Sequence, residues 1–370
     1  MTDNESIWTA ENIYETLYVA IPDGKHLEPW LATGYTLAPD HLTWTFDLRH
    51  DVRSQNGKPM ISADVKFSIE RVAAKVSNPF AFINAAIASI TTPDPYTVVI
   101  RTKYPSAPLL ADVALFANGI IPANYGGETE AQFFAHPIGT RPSMVKKWMK
   151  GSEVELVANP YYWRKGKPYL SAVTFLSVPN DNTRRLQLEA GQAEVGEFPP
   201  FSMVAGLAHT RGVRMVLFPS NRTDFLEFSE AHKPFADRDV PRAISYAINR
   251  AAMVKAVLFG HDRLANSIIS PALWGYGAES PGVQYDPAKA KEELTHSSVP
   301  HSFSTTLIVG SGTSTEPLLG QIVQAELKLL GIDVTLREVD PNNEYTDIQN
   351  GKYGVAFQYD TTDIIDPDEL

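Results

Sequence analysis

The stretch "TTLIVGSGTSTEPLLGQIVQAELKLLGIDVTLREVDPNNEYTDIQNGKYGVAFQYD" (residues 305–360) decides the fold. The run at 305–310 is short and apolar and reads as a buried strand. Apolar residues then recur at helical spacing over 315–331. A strand follows at 332–339, a helix at 342–351 and a strand at 353–360. This βαβαβ order predicts an α/β fold with a parallel sheet and right-handed crossovers. In open sheets of this kind, ligands sit outside the carboxyl ends of the strands. Those ends are "GSGTST" (310–315) and "DTTDIID" (360–366), so the acidic segment after the last strand emerges at the ligand edge.

Working outward, "SIWTAENIYETLYVA" (6–20) places Ile7, Ala10, Ile13 and Leu17 near helical spacing and reads as an amphipathic helix. Residues 34–49 alternate Trp44, Phe46 and Leu48 with polar residues and read as a hairpin turning at Pro39-Asp40. A helix is expected over 62–75, with Ser62 as its N-cap. Strands are expected at 97–105, 153–163, 172–179 and 223–229. Further helices are expected at 181–191, ended by Gly191, and in one piece over 239–260.

At 370 residues, two domains are expected, and the 44% hydrophobic and 20% charged content is that of a folded chain. A net charge of −11 disfavours a nucleic-acid or anionic-membrane partner. There is no cysteine, hence no disulfide and no thiolate chemistry. The N-terminus lacks the basic and apolar regions of a signal peptide, and no apolar run is long enough to span a membrane.

Motifs for chemistry are sparse. The Gly310-Ser311-Gly312 turn lacks the third glycine of a dinucleotide fingerprint, with Thr315 in its place. The acids Asp360, Asp363, Asp366, Asp368 and Glu369 lack the spacing and glycine of an EF-hand loop. His296 and His301 are not at ligand spacing, and neither a nucleophile elbow nor a P-loop occurs. No cofactor and no metal are expected. The aromatic run "NPYYWRKGKPYL" (159–170) reads as packing at a core edge beneath a Gly/Pro turn.

Several ordered stretches resemble the family-5 extracellular solute-binding proteins, the receptors of ABC importers for peptides, nickel chelates and related solutes. "IYETLYVAIPDG" is similar to the family's Y-E-G-L segment with its Asp-Gly turn. "LEPWLATGYTLAPDHLTWTFDLRHDVRSQNGKPMISADVKFSIER" (27–71) is the most specific match. "PIGTRPSMVKKW", "VANPYYWRKGKPYL" and "KPFADRDVPRAISYAINRAAMVKAVLFG" follow in family order. The resemblance implies a two-lobed clamp (type II, cluster C-like) that closes over its ligand by hinge motion. Lobe 1 would cover 1–220, with an extra subdomain at about 22–140, and lobe 2 would cover 221–370. It further implies a periplasmic or extracellular protein, lipid-anchored or free, monomeric, without catalysis, whose partners are a small-molecule or peptide ligand and an ABC permease.

By the same resemblance, "TTDIIDPDEL" places on Asp363 the carboxylate that meets a ligand's α-ammonium, with Asp366-Pro367 as the turn behind it. A carboxylate in a water-poor site gains a charge-assisted bond to an ammonium. Asp360, Thr361 and Thr362 would line the ligand, the backbone pairing with it as an added strand. Glu15 and Leu17 would form the opposite wall. Thr16, Arg141 and Ser143 depart from family glycines and an aromatic. A left-handed backbone at Arg141 would cost about 1 kcal/mol. Asp360 stands where several peptide binders have Trp, which leaves peptide, opine, sugar and nickel chelate open as ligands. Against full-length members the chain reads as shortened at both ends, with lobe 2 incomplete. Two alternatives stand beside the importer reading: a cytoplasmic, non-transporting regulatory derivative, and an unrecognised hydrolase.

Overall fold

The alternation over 305–360 folds as its spacing predicts. The computed structural model describes residues 4–21, 25–74, 78–271, 273, 275–277, 281–299, 302–311 and 315–364. The strands Phe303–Gly310, Ile332–Val339 and Val355–Thr361 run parallel, with helices Thr315–Lys328 and Pro341–Gln349 between them. The strand Arg222–Phe228 joins antiparallel beside Val355–Thr361. The sheet order is therefore 222–228, 355–361, 303–310, 332–339. Both faces are covered where the strands cross the core, which is why Leu307, Ile308 and Val309 form an unbroken apolar run beside Val355 and Ala356. Leu307, Val309 and Val355 pack with Val323 and Leu327 on one face, and Ile308 and Ala356 pack with Ile348 and Tyr353 on the other.

By its internal contacts the chain divides into two compact units, residues 1–177 with 362–370, and residues 178–361. The boundary expected at 220/221 falls inside the second unit. The first unit contains an antiparallel sheet in the order Ala32–Leu37, Thr43–Leu48, Thr97–Thr102, Ile87–Asp94. Trp44, Phe46 and Leu48 all point into its core, as their alternation requires, and Val65 and Ile69 of the helix Ser62–Ala74 meet them there. A second sheet, Ser143–Met149, Glu153–Ala158 and Ala172–Leu176, carries the 159–170 loop between its last two strands.

Three local expectations are corrected. The first helix covers only Asn4–Ala10, and Tyr18–Ala20 is a strand paired with Leu27–Pro29. Ile13 and Leu17 are buried as their spacing requires, but the backbone there is claimed by other segments. The carbonyls of Ile13, Thr16 and Leu17 accept from the N–H groups of Arg141, Leu31 and Trp30. Tertiary pairing overrides helix spacing. Ser62 does not cap through its side chain; its hydroxyl donates to the Asp94 carbonyl at 2.6 Å. The helix expected over 239–260 breaks into Asp239–Ala247 and Arg250–Ala256. At the break Ile248 turns extended, and the Asn249 side chain accepts from the Ala252 N–H at 3.0 Å. An asparagine that can cap a new helix competes with continuation of the old one.

Candidate ligand-binding site

In the second unit, the strand ends Gly310, Val339 and Thr361 share one edge of the parallel sheet, and charged groups gather there. Arg222 faces Thr361 across the antiparallel pair. It donates from Nε and Nη2 to Asp224, and its guanidinium lies 3.7 Å over the Tyr359 ring. Behind Gly310 stand two carboxylates from the first turns of the two crossover helices. Glu316 accepts the Gly310 N–H at 2.7 Å. A Cβ at position 310 would lie 2.7 Å from Glu344 Oε2 and 2.9 Å from Glu316 Oε2, so a larger residue there would require the carboxylates to shift. Burial raises the pKa of each carboxyl; Glu344, which also feels the Glu316 charge, is pushed up to about 7. None of these partners was singled out in the sequence, because Arg222, Glu316 and Glu344 are far apart in it and carry no motif.

Two sequence-derived site residues end this strand. Asp360 carries a buried Oδ2 without a hydrogen-bond partner, and burial raises its pKa. Thr361 carries a buried Oγ1 that is likewise unpartnered. Unsatisfied buried polar atoms are costly, and in a binding protein they mark where a ligand can repay the cost.

In the first unit, Asp363 is half-buried between two buried residues. Thr362 and Ile364 are each 4% exposed. Ile364 seats among Val72, Ile83, Ala111 and Leu115, and so fixes the short segment that presents Asp363. A cleft of about 170 Å³ opens beside it, walled by Phe82, Tyr104, Pro105, Pro108, Asp112 and Ile364. Asp366-Pro367, Asp368 and Glu369 lie outside the described residues. A larger, open groove of about 610 Å³ runs past Asp47, Arg49, His50, Asp51, Asp94 and Tyr96. Its charges are engaged locally: Arg49 grips Asp51, and Asp94 accepts the Tyr96 N–H.

Glu15 is wholly buried in the same unit, and Leu17, 1% exposed, lies in the core. The Glu15 carboxylate accepts from Trp30 Nε1 at 2.6 Å, Trp163 Nε1 at 3.2 Å and the Tyr162 hydroxyl at 3.3 Å. Burial, then the Glu15 charge, push the Tyr162 pKa up, so this phenol stays a donor. Glu15 thus organises an aromatic cluster from within. Thr16 fills its family-glycine position by donating its hydroxyl to the Tyr18 carbonyl at 2.6 Å. Arg141 has no left-handed backbone, so the expected strain is absent; its Nε donates to the Tyr14 carbonyl at 2.8 Å.

Among known proteins, the profile of bacterial extracellular solute-binding proteins, family 5 Middle, matches residues 26–370. The glutathione-binding protein GsiB of Salmonella paratyphi A is 30% identical over 349 residues, which is 94% of this chain and 68% of that protein. The periplasmic binding protein DppA of Helicobacter pylori, an ABC-transporter-associated protein solved with the peptide STSA, superposes with a TM-score of 0.91 at 29% identity, covering 100% of this chain and 76% of that one. The binding protein AgaA of A. tumefaciens R10, solved with agropinic acid, superposes at 0.88 with 26% identity, covering 100% and 75%. The ordered motifs, the α/β sheet with its ligand edge and these likenesses agree: the chain belongs to the family-5 bacterial extracellular solute-binding proteins.

Proposed function

We propose that this protein captures a small amine-bearing solute, a short peptide or peptide-like conjugate, for a bacterial ABC importer, and that Asp363 receives the ligand's ammonium. The observation that carries the proposal is the mounting of Asp363, a half-buried carboxylate held between buried Thr362 and Ile364. Backbone anchored on both sides of the carboxylate leaves less of the segment to be ordered when a cation binds, so more of the charge-assisted bond appears as affinity. The cleft beside Ile364 takes an apolar or aromatic side chain of the ligand. Relatives named for glutathione and solved with a peptide belong to the same chemical class. In the second unit, Thr361 Oγ1 and Asp360 Oδ2 are the atoms a polar ligand group would satisfy.

The protein acts by binding and not by turnover, as a monomer, in the periplasm or outside the cell, and it hands its ligand to a permease. No helix among the described residues is long and apolar enough to cross a membrane.

Isothermal titration with glutathione and with di- to pentapeptides, free and N-acetylated, tests the reading. Free amines should bind, and acetylation or Asp363→Asn should each weaken binding roughly 10- to 100-fold, the range for a hydrogen bond to a charged group. Equal binding of acetylated and free peptides, unchanged by Asp363→Asn, would remove Asp363 from the role.

A further inference from the structure

The inward half of the 159–170 loop is accounted for by Glu15; the outward half is not. Arg164, Lys165 and Lys167 stand in a run without a single acid, in a chain of net charge −11. Tyr161 lies against the turn at Gly57, whose left-handed backbone (φ +81°) and missing side chain let the ring approach; a Cβ there would be 3.3 Å away. That turn brings two more cations beside the loop, Lys58 and Arg53, whose Nη1 donates to the Gly57 carbonyl at 2.9 Å. Arg49 stacks 4.0 Å over Trp163, and Arg164 stacks 4.9 Å over Trp30. Of these six cations, only Arg49 has a carboxylate partner within 4.0 Å among the described residues, Asp51 at 3.0 Å. Elsewhere on the surface such groups pair: Lys146 with Glu155, Lys147 with Glu153, Arg337 with Asp347.

At the tip of the loop, Tyr169 is 85% exposed and Leu170 is 63% exposed, with Lys167 Nζ 3.2 Å from the centre of the Tyr169 ring. Adjacent exposed aromatic and aliphatic side chains on a loop whose own cations lack carboxylate partners are the composition of an interfacial anchor. We propose that this loop and the 53–58 turn form a docking surface for anionic phospholipid headgroups. The cations meet lipid phosphates, and Tyr169 and Leu170 enter the headgroup layer. Net charge does not decide against this contact, because the field of a lipid surface falls off within about 10 Å. What counts is the charge of the patch that reaches it. An acidic partner protein would satisfy the cations, but it gives no particular reason for two apolar side chains to stand largely exposed side by side at the tip.

The test is co-sedimentation of the intact chain with phosphatidylglycerol-containing vesicles and with pure phosphatidylcholine vesicles, at about 50 and about 300 mM salt. Binding to the anionic vesicles alone, weakened by salt, is expected. The double variant Lys165→Glu/Lys167→Glu should lower partitioning roughly tenfold or more, and Tyr169→Ser/Leu170→Ser several-fold. All four side chains are at the surface or near it, so circular dichroism and melting should match the wild type and peptide binding should be unaffected. Equal partitioning into both vesicle types overturns the proposal, as does unchanged partitioning of the folded charge-reversed variant. Retention on a polyglutamate resin without vesicle binding assigns the patch to an acidic protein instead, and also overturns it.

Discussion

Replacing Glu344 with glutamine should flatten the pH dependence of stability between about pH 4.5 and 7. Glu344 and Glu316 crowd the backbone at Gly310, and burial with the Glu316 charge raises Glu344 from 4.5 to about 7. Arg222 and Asp224, near Glu316, set the rest of the local field. The folded state therefore holds a proton that the unfolded state releases. The stability this proton contributes is fully present below pH 4.5 and is lost as pH rises through about 7. Converted in full, the shift corresponds to about 3 kcal/mol. Because the side chain is only half-buried, solvent screening reduces this to about 1 kcal/mol. Glutamine keeps the volume and can donate to Glu316, but it has no charge to repel. The variant should match the wild type near pH 4.5 and exceed it by about 1 kcal/mol near pH 7.5, or roughly 2–4 °C in melting temperature. Paired thermal melts across that range measure the difference, in which groups common to both proteins cancel. A difference that stays constant with pH would refute the argument, because it would mean that neither burial nor the Glu316 charge holds a proton on Glu344 in the folded state.

Other positions give equally direct readouts. Glu15→Ala strips the acceptor from Trp30, Tyr162 and Trp163, leaving buried donors unsatisfied at about 1–3 kcal/mol for such a group. A lower melting temperature and red-shifted tryptophan emission should appear together. Asn249→Ala removes the cap of the Arg250–Ala256 helix and should cost about 1 kcal/mol, measured by chemical denaturation, while Asn249→Asp should cost much less. Gly57→Ala places a side chain in a left-handed backbone and against the Tyr161 ring, and should destabilise by about 1–3 kcal/mol in the same assay.

Much of the second unit was legible because its signal is local and repeated. The first strand of 305–360 holds the apolar run Leu307-Ile308-Val309, the second alternates, each helix has its own period, and the order alone implies a parallel sheet. The first unit was harder. Residues 13–20 satisfy helical spacing, yet their backbone partners are Trp30, Leu31, Ile120 and Arg141, and no local pattern announces them. The strand Ser143–Met149 carries Lys146 and Lys147 and has a register irregularity between Val145 and Lys147, so it neither alternates nor runs apolar. For the candidate site, the strand order brought the segment 360–366 to the ligand edge, and the family resemblance singled out Asp360, Thr361 and Asp363 within it. Arg222, Glu316 and Glu344 could not be picked out, because a charge acquires meaning there only when folding sets it beside another charge. Trp30 and Trp163 escaped notice for the same reason, since both look like core residues until Glu15 is seen between them.

The order of strands in the second unit also has a consequence for synthesis. Among the described residues, Arg222–Phe228 is an edge strand paired with Val355–Thr361 alone. The two are locked by the Tyr353 hydroxyl donating to Glu227, a contact spanning 126 residues. At ribosomal speeds of about 5–20 residues per second, roughly 6–25 s pass before the partner exists. Through that interval Leu226 and Phe228, which the finished sheet packs against its core, have no strand to pair with. The nascent chain must therefore carry an unpaired strand with three large apolar side chains, Phe225, Leu226 and Phe228, past many residues of unrelated sequence. A chaperone that shields extended segments, or slowed translation ahead of residue 355, would act on this pairing.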